Sequence, residues 1–237
     1  MTEKNVLITG ASRGLGIELQ KTYADDSWRT FPLVRQASVA DELTRQYPDR
    51  CHPIVSDLTD DQVANDIQSV MAERADHLDL LINNAGFAGR TYKLDELTSG
   101  EIVDLFQVHC LGAFRSIKAV LPFLRKAQGA KIVNITSRLG SIARNASGEY
   151  AGKPFTYSYR MSKAAQNMMT LCLSQELVHE GISVYGIHPG RLLTDSASYD
   201  ADTPPDVAAR RIADLVDTLT LDQTGRCFDP ANGEIPW

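Results

Sequence analysis

A chain of 237 residues, 43% of them hydrophobic, can bury a sizeable core as one large α/β domain, and no linker divides it. Its net charge of −6 and pI near 5.4 exclude the basic footprint of a protein built to hold nucleic acid or an anionic membrane surface, so a small molecule is the expected partner. No segment approaches the length of a membrane span, and Met1 to Asn5 lead into a strand without an apolar signal core, so a cytoplasmic protein is expected.

Val6 to Ile8 form a short buried strand in this reading. Gly10-Ala11-Ser12-Arg13-Gly14-Leu15-Gly16 then turns the backbone into a helix whose Leu15, Leu19 and Tyr23 recur every four residues, until Asp25-Asp26-Ser27 ends the pattern. Side chains at Gly10, Gly14 and Gly16 would hold a phosphate away from the turn. Without them, the unpaired N–H groups and positive end of the helix face a pyrophosphate, which makes Gly10 to Gly16, with Ser12, Arg13 and Leu15, a candidate dinucleotide site. Arg29 to Val34 is a second strand, ending at Arg35. The residue at that point of a βαβ unit meets the adenosine ribose, where Asp or Glu would accept from a 2′-hydroxyl and arginine would pair with a 2′-phosphate. Arg35 stands there and Arg13 approaches from the glycine turn, so NADP is the expected cofactor, with NADPH preferred over NADH.

Ala40 to Tyr47 reads as a short helix and Cys51 to Val55 as a third strand, followed by Asp57 and Leu58 at the adenine edge. Thr59-Asp60-Asp61-Gln62 is a capping box for a helix with Val63, Ile67, Val70 and Met71 on its apolar face. Leu78 to Ile82 is a fourth strand, apolar throughout as a strand covered on both faces should be, and it closes in Asn83-Asn84-Ala85-Gly86. Thr98-Ser99-Gly100-Glu101 caps a long helix with the inner stripe Ile102, Leu105, Phe106, His109, Ala113, Ile117, Val120 and Leu124, in which His109 is the one polar member. Lys131 to Thr136 is a fifth strand running into Ser137, and 145–156 is a polar loop. Tyr159 to Glu180 is a helix, and Ser183 to His188 a sixth strand that breaks at Pro189-Gly190. Residues 191–205 are without periodicity, after the end of a strand, and are expected to form a substrate lid. Val207 to Leu219 is a last helix and Gly225 to Phe228 a closing strand. Strands alternating with helices imply one doubly wound parallel sheet with helices on both faces. Cys51, Cys110, Cys172 and Cys227 are widely spaced, without Cys-x-x-Cys or a His-rich partner motif; mostly buried, reduced thiols are expected, and no metal site.

Tyr159-Arg160-Met161-Ser162-Lys163 places a phenol and an ammonium on one helix face. A neighbouring cation favours the phenolate and would bring the tyrosine pKa toward the working pH, giving a group able to donate or accept a proton.

This series resembles the short-chain dehydrogenase/reductase family, with its Rossmann-type fold. Thr9-Gly10-x3-Gly14-x-Gly16, Asp57, Asn83-Asn84-Ala85-Gly86, Ser137, Tyr159-x3-Lys163 and Pro189-Gly190 with Thr194 match that family's signatures in order. The resemblance implies that Tyr159 is the general acid/base, that Lys163 binds the nicotinamide ribose and lowers the tyrosine pKa, and that Ser137 hydrogen-bonds the substrate oxygen. It also implies that Asn84, Ala85 and Gly86 line the cofactor, that Asp57 meets the adenine, and that Pro189, Gly190, Leu192 and Thr194 hold the nicotinamide end. The closing stretch 224–237 is similar to the C-factor and sniffer-type carbonyl reductases. The implied activity is hydride transfer between nicotinamide and a small carbonyl or alcohol substrate. A dinucleotide-sensing protein with little turnover is the alternative, and a lyase or dehalogenase on the same scaffold a third reading. A homodimer or homotetramer is implied by analogy alone.

The chain departs from the family at two places. His109-Cys110-Leu111-Gly112 stands where the family has Asn-x-x-Gly, so His109 either replaces the asparagine of the proton relay or is a core histidine satisfied by a backbone carbonyl. Residues 145–156 lengthen the interval between Ser137 and Tyr159, as a solvated loop or as a wall of the substrate pocket.

Overall fold

The computed structural model describes residues 3–194 and 200–237. The strands are β1 (Asn5–Thr9), β2 (Arg29–Val34), β3 (Ile54–Val55), β4 (Leu80–Asn83), β5 (Lys131–Ile135), β6 (Ser183–Ile187), β7 (Cys227–Asp229) and β8 (Gly233–Ile235). They form one sheet in the order β3-β2-β1-β4-β5-β6-β7-β8. Among the described residues, every strand pairing is parallel except β7 with β8. The chain starts in the middle of the sheet, builds outward to β3, and crosses to β4 on the other side of β1. That reversal leaves a crevice at the carboxyl ends of β1 and β4, the place where open α/β sheets take their ligands.

The helices are α1 (Gly14–Asp25), α2 (Ala37–Gln46), α3 (Val63–Arg74), α4 (Ser99–Phe106), α5 (Ala113–Leu124), α6 (Ile142–Ala146), α7 (Tyr157–Leu177) and α8 (Pro205–Thr218). Two cores hold them to the sheet. Leu15, Leu19 and Tyr23 of α1 meet Ile212 and Val216 of α8 on one face. On the other face, Ile67 and Met71 of α3 meet Ile117, Val120 and Leu124 of α5 and Leu177 of α7. Leu19 and Ile212 are fully enclosed, and burying such a side chain is worth about 1.5–3 kcal/mol.

A buried polar chain sets the register of the second layer. Ser116 Oγ donates to Asn83 Oδ1 at 2.6 Å, Asn83 Nδ2 to Asn134 Oδ1 at 2.9 Å, and Asn134 Nδ2 to Thr170 Oγ1 at 2.9 Å. Each member is satisfied by the next, so α5 and α7 are keyed to β4 and β5 at defined residues.

Several local expectations are corrected. The capping box at Thr59 does not form, because Asp57 and Asp60 carboxylates accept from Thr59 N and Gln62 N, each at 2.9 Å, and the helix begins at Val63. An aspartate two residues upstream is a stronger local acceptor than the threonine hydroxyl. The third strand shrinks to Ile54–Val55, with Cys51 making an isolated bridge to Thr30. The long helix starting near Thr98 is split by a π-helical turn, Gln107–Gly112. Such a turn holds an extra residue and resets the helical phase, which leaves Phe106 40% exposed rather than on the inner stripe. Residues 145–156 are only partly a solvated loop: 146–148 and 151–154 are exposed, but Asn145 and Ala146 belong to α6, and Tyr150 and Phe155 are buried, with their rings edge-on at 5.6 Å. The closing strand is followed by β8, which gives the sheet an antiparallel edge. Three cysteines are buried, whereas Cys172 is exposed.

Candidate active site

The carboxyl ends of β1 and β4 are tied together by side chains. Thr9 Oγ1 accepts from Asn84 N at 3.0 Å and Ala85 N at 3.1 Å, and Asn84 Nδ2 donates to Thr9 O at 3.0 Å and Gly10 O at 3.2 Å. Against this knot the glycines have separate causes. Gly10 lies at φ +67°, and a Cβ on it would stand 2.7 Å from Ala85 Cα. A Cβ on Gly16 would stand 2.1 Å from Gly10 O, so Gly10 and Gly16 are required by the protein's own packing, in addition to the room they leave for a phosphate.

The helix that leaves this turn is open at its start. Arg13 occupies the N-cap of α1 without a side-chain cap bond, and the first turn carries no acidic residue. The leading N–H groups and the positive end of the helix suit an anion, and Ser12, Arg13 and Arg35 are exposed around it. Asp57 is held below its usual range first by the N–H of Thr59, then by the Thr59 hydroxyl and by the charge of Arg35. Leu58 is a core residue, and its carbonyl accepts from Arg115 Nη1 at 3.2 Å. Thr194 comes to the same place from the far end of the chain, its Cγ2 3.5 Å from where a Cβ on Gly14 would be. Residues 195–199 of the expected lid lie outside the described residues. Its described ends are tied by Leu193 N to Thr203 O at 2.9 Å and by the Arg191–Asp202 and Arg138–Asp200 ion pairs. Pro189 and Gly190 line a cavity of about 750 Å³ bordered by Arg138, His188 and Arg191.

Ser137 follows β5, and Tyr159 and Lys163 stand one helical turn apart on α7; Ser137 and Lys163 are buried and Tyr159 is half-buried. The Ser137 hydroxyl is near enough to the Tyr159 phenol to act on its pKa. Lys163 Nζ lies 5.8 Å from the centre of the tyrosine ring and donates to Ile135 O at 2.7 Å and Gln166 Oε1 at 2.9 Å. Burial pushes the phenol pKa up, against a smaller downward pull from Ser137. This direction is opposite to that expected from a cation four residues away. The ammonium spends donors on a carbonyl and an amide oxygen, and burial lowers its own pKa to about 7.

His109, on the π-helical turn, reaches the same centre. Nε2 accepts from the backbone N–H of Phe87 at 3.2 Å, Nδ1 lies 2.8 Å from Ser162 Oγ, and the ring stands edge-on to Tyr159 at 5.6 Å and 85°. The partners are a peptide N–H and a hydroxyl, rather than a carbonyl. A Cβ on Gly86 would fall 2.6 Å from Nε2, so only glycine leaves the imidazole this close to the β4 loop. Glu101 binds the rest of that loop: its carboxylate accepts from Arg90 N at 3.0 Å, Thr91 Oγ1 at 2.6 Å and Ser158 Oγ at 2.6 Å. Thr9, Phe87, Glu101, Ser162 and Gln166 thus support the site without having been singled out for it. Thr9 and Ser162 lie inside the glycine-turn and Tyr159-x3-Lys163 motifs, and Glu101 has the pattern of a helix cap. A backbone N–H such as that of Phe87 leaves no mark in a sequence.

The family model for short chain dehydrogenases matches residues 4–204. C-signal of Myxococcus xanthus is 36% identical over 160 residues, 68% of this chain and 93% of that protein. The NADPH-bound carbonyl reductase from chicken fatty liver shares the fold with a TM-score of 0.89 and 27% identity, each chain covered in full. The carbonyl reductase Sniffer of D. melanogaster superposes with a TM-score of 0.87 and 29% identity, over 99% of this chain and 100% of that one. Among the described residues, no helix is long and apolar enough to cross a membrane, and no cluster of His, Cys, Asp and Glu could hold a metal ion. The match begins before the glycine turn and runs past the Tyr159 helix to the end of the Thr194 segment, so the chain belongs to the short-chain dehydrogenase family.

Proposed function

We propose that the chain is an NADPH-dependent carbonyl reductase that interconverts an aldehyde or ketone and its alcohol, with Tyr159 as the general acid/base. The observation that carries this reading is the meeting of Ser137, Tyr159 and Lys163 at the ends of β5 and α7, beside the β1/β4 crevice. When bound, NADPH supplies the hydride.

The residues present fit that cofactor. The uncapped start of α1 suits a pyrophosphate, Arg13 and Arg35 suit a 2′-phosphate, and Lys163 suits the nicotinamide ribose hydroxyls. Asp57 and the Leu58 backbone would meet the adenine, Asn84 to Gly86 would line the cofactor, and Pro189, Gly190, Leu192 and Thr194 would hold the nicotinamide end. The neighbour from chicken fatty liver, bound to NADPH, supports the cofactor.

Ser137 and Tyr159 would hold the substrate oxygen between two hydroxyls. The phenol whose pKa burial has raised stays protonated at neutral pH, and in reduction Tyr159 gives that proton to the oxygen as the carbonyl becomes an alcohol. The enzyme is proposed to be cytoplasmic and to act without metal.

NADPH consumption over a panel of aldehydes, ketones, diketones and quinones, with NADH in parallel, tests the reading. Turnover should fall by about 10²–10⁴-fold in Tyr159→Phe. NADPH that binds without any reaction would favour a dinucleotide-binding signalling protein instead, the reading that the identity with C-signal supports.

A further inference from the structure

His109 stands between the two halves of the candidate site, with each ring nitrogen given to one of them. The partner of Nε2 is the Phe87 N–H at 3.2 Å, which can only donate. Nε2 must therefore carry its lone pair, and the single proton of the neutral ring is on Nδ1, where it is donated to Ser162 Oγ at 2.8 Å. Ser162 Oγ donates in turn to the carbonyl of Tyr159 at 3.0 Å. The direction of every bond is thus set by a peptide N–H at one end and a peptide carbonyl at the other.

A proton relay needs members that both accept and donate. A peptide N–H has no lone pair to accept with, and a carbonyl has no proton to pass on, so this chain of hydrogen bonds ends at both sides. A second proton on the ring would set an Nε2–H against the Phe87 N–H, donor facing donor.

We propose that His109 is a positioning residue locked in its Nδ1–H tautomer, which fastens the cofactor-lining loop Asn84–Phe87 to the α7 turn carrying Tyr159 and Lys163, and that it passes no proton. This proposal rests on the reductase reading for what the loop and α7 do, though the tautomer itself does not.

The surroundings agree. Among the described residues, the charged or titratable groups facing the ring are Lys163 and Tyr159 of α7 and, on its own turn, Cys110, whose Sγ donates to Ser162 O at 3.3 Å. Burial first and the Lys163 charge second keep the imidazole neutral. The extra residue in the π-helical turn turns both His109 and Cys110 inward, and both contact Ser162.

Substitution can separate the two halves of the clamp. An asparagine amide covers the position of Nδ1 and falls short of Phe87, whereas a glutamine amide reaches the position of Nε2 and can accept from the Phe87 N–H. With NADPH as the probe, binding followed by fluorescence should weaken by about three- to tenfold in His109→Asn, the worth of one hydrogen bond, and be largely kept in His109→Gln. Ser162→Ala, which leaves the loop contact in place, should also keep NADPH affinity while lowering kcat. In the cofactor-free protein, nitrogen NMR of the labelled imidazole should report Nδ1 protonated, Nε2 bare, and no titration while the protein stays folded.

An Nε2–H tautomer, a titrating ring, or equal NADPH affinity in the Asn and Gln variants would overturn the proposal. So would a pH profile of kcat that loses an ionisation in His109→Gln, because a relay would then run through the ring. The tautomer and affinity readouts need no turnover, so they decide the matter even if no carbonyl substrate is reduced and the reductase reading fails.

Discussion

The Thr9 hydroxyl holds the backbone of Asn84, accepting its N–H at 3.0 Å across 75 residues of sequence, and it accepts from Ala85 as well. One side chain at the end of β1 thereby closes the β4 loop over the crevice. Thr9→Val keeps the shape and removes the acceptor, leaving two N–H groups without a partner in a tightly closed place. A loss of about 1–3 kcal/mol in urea denaturation is expected, together with weaker NADPH binding, whereas Thr9→Ser should retain both.

Lys163 makes stability depend on pH. Its amine titrates at an ordinary 10.5 when unfolded and at about 7 when folded, so between those values the unfolded chain holds the extra proton. The folded state should gain stability as pH rises from about 7 toward 10.5, and lose it again as pH falls back to about 7. Lys163→Met avoids burying a charge. Its melting temperature relative to the unmodified protein should be highest below pH 7 and decline up to pH 10; a difference that is flat with pH would contradict the assignment.

Arg35 is exposed at the end of β2, where the adenosine ribose would lie. Arg35→Asp exchanges a partner for a 2′-phosphate for one that suits a 2′-hydroxyl. The ratio of NADPH to NADH affinity should fall by at least about tenfold, the equivalent of one charge-assisted contact, and titration calorimetry with both nucleotides would measure it.

A second copy of this chain is the occupant proposed for the exposed apolar side chains of α4, α5 and α7. Val103 is 54% exposed, Phe114 49%, Met161 51% and Met168 56%. Light scattering should give a dimer or tetramer, and Phe114→Glu with Met168→Glu should give a monomer that remains folded. A monomeric unmodified protein at high concentration would remove the proposal.

The sequence by itself determined the elements whose signal lies between neighbours in the chain. The apolar run Val6 to Ile8, the four-residue spacing of Leu15, Leu19 and Tyr23, and the apolar β4 and β6 each carry their signal within one segment, which is why β1, α1 and a parallel sheet could be read directly. The glycine turn was legible for the same reason, although part of its cause was not. Gly16 answers to Gly10 O and to the Asn84 side chain, which arrives from β4.

Tertiary structure decided what depends on partners far apart in sequence. The π-helical turn that aims His109, the tautomer set by Phe87 and Ser162, the direction of the Tyr159 pKa, and the burial of Tyr150 and Phe155 all arise from groups brought together by folding. A run of residues specifies its own periodicity because the backbone repeats locally. It does not specify which donor faces a given nitrogen or how much water a phenol has lost, because the packed layers around the site supply both.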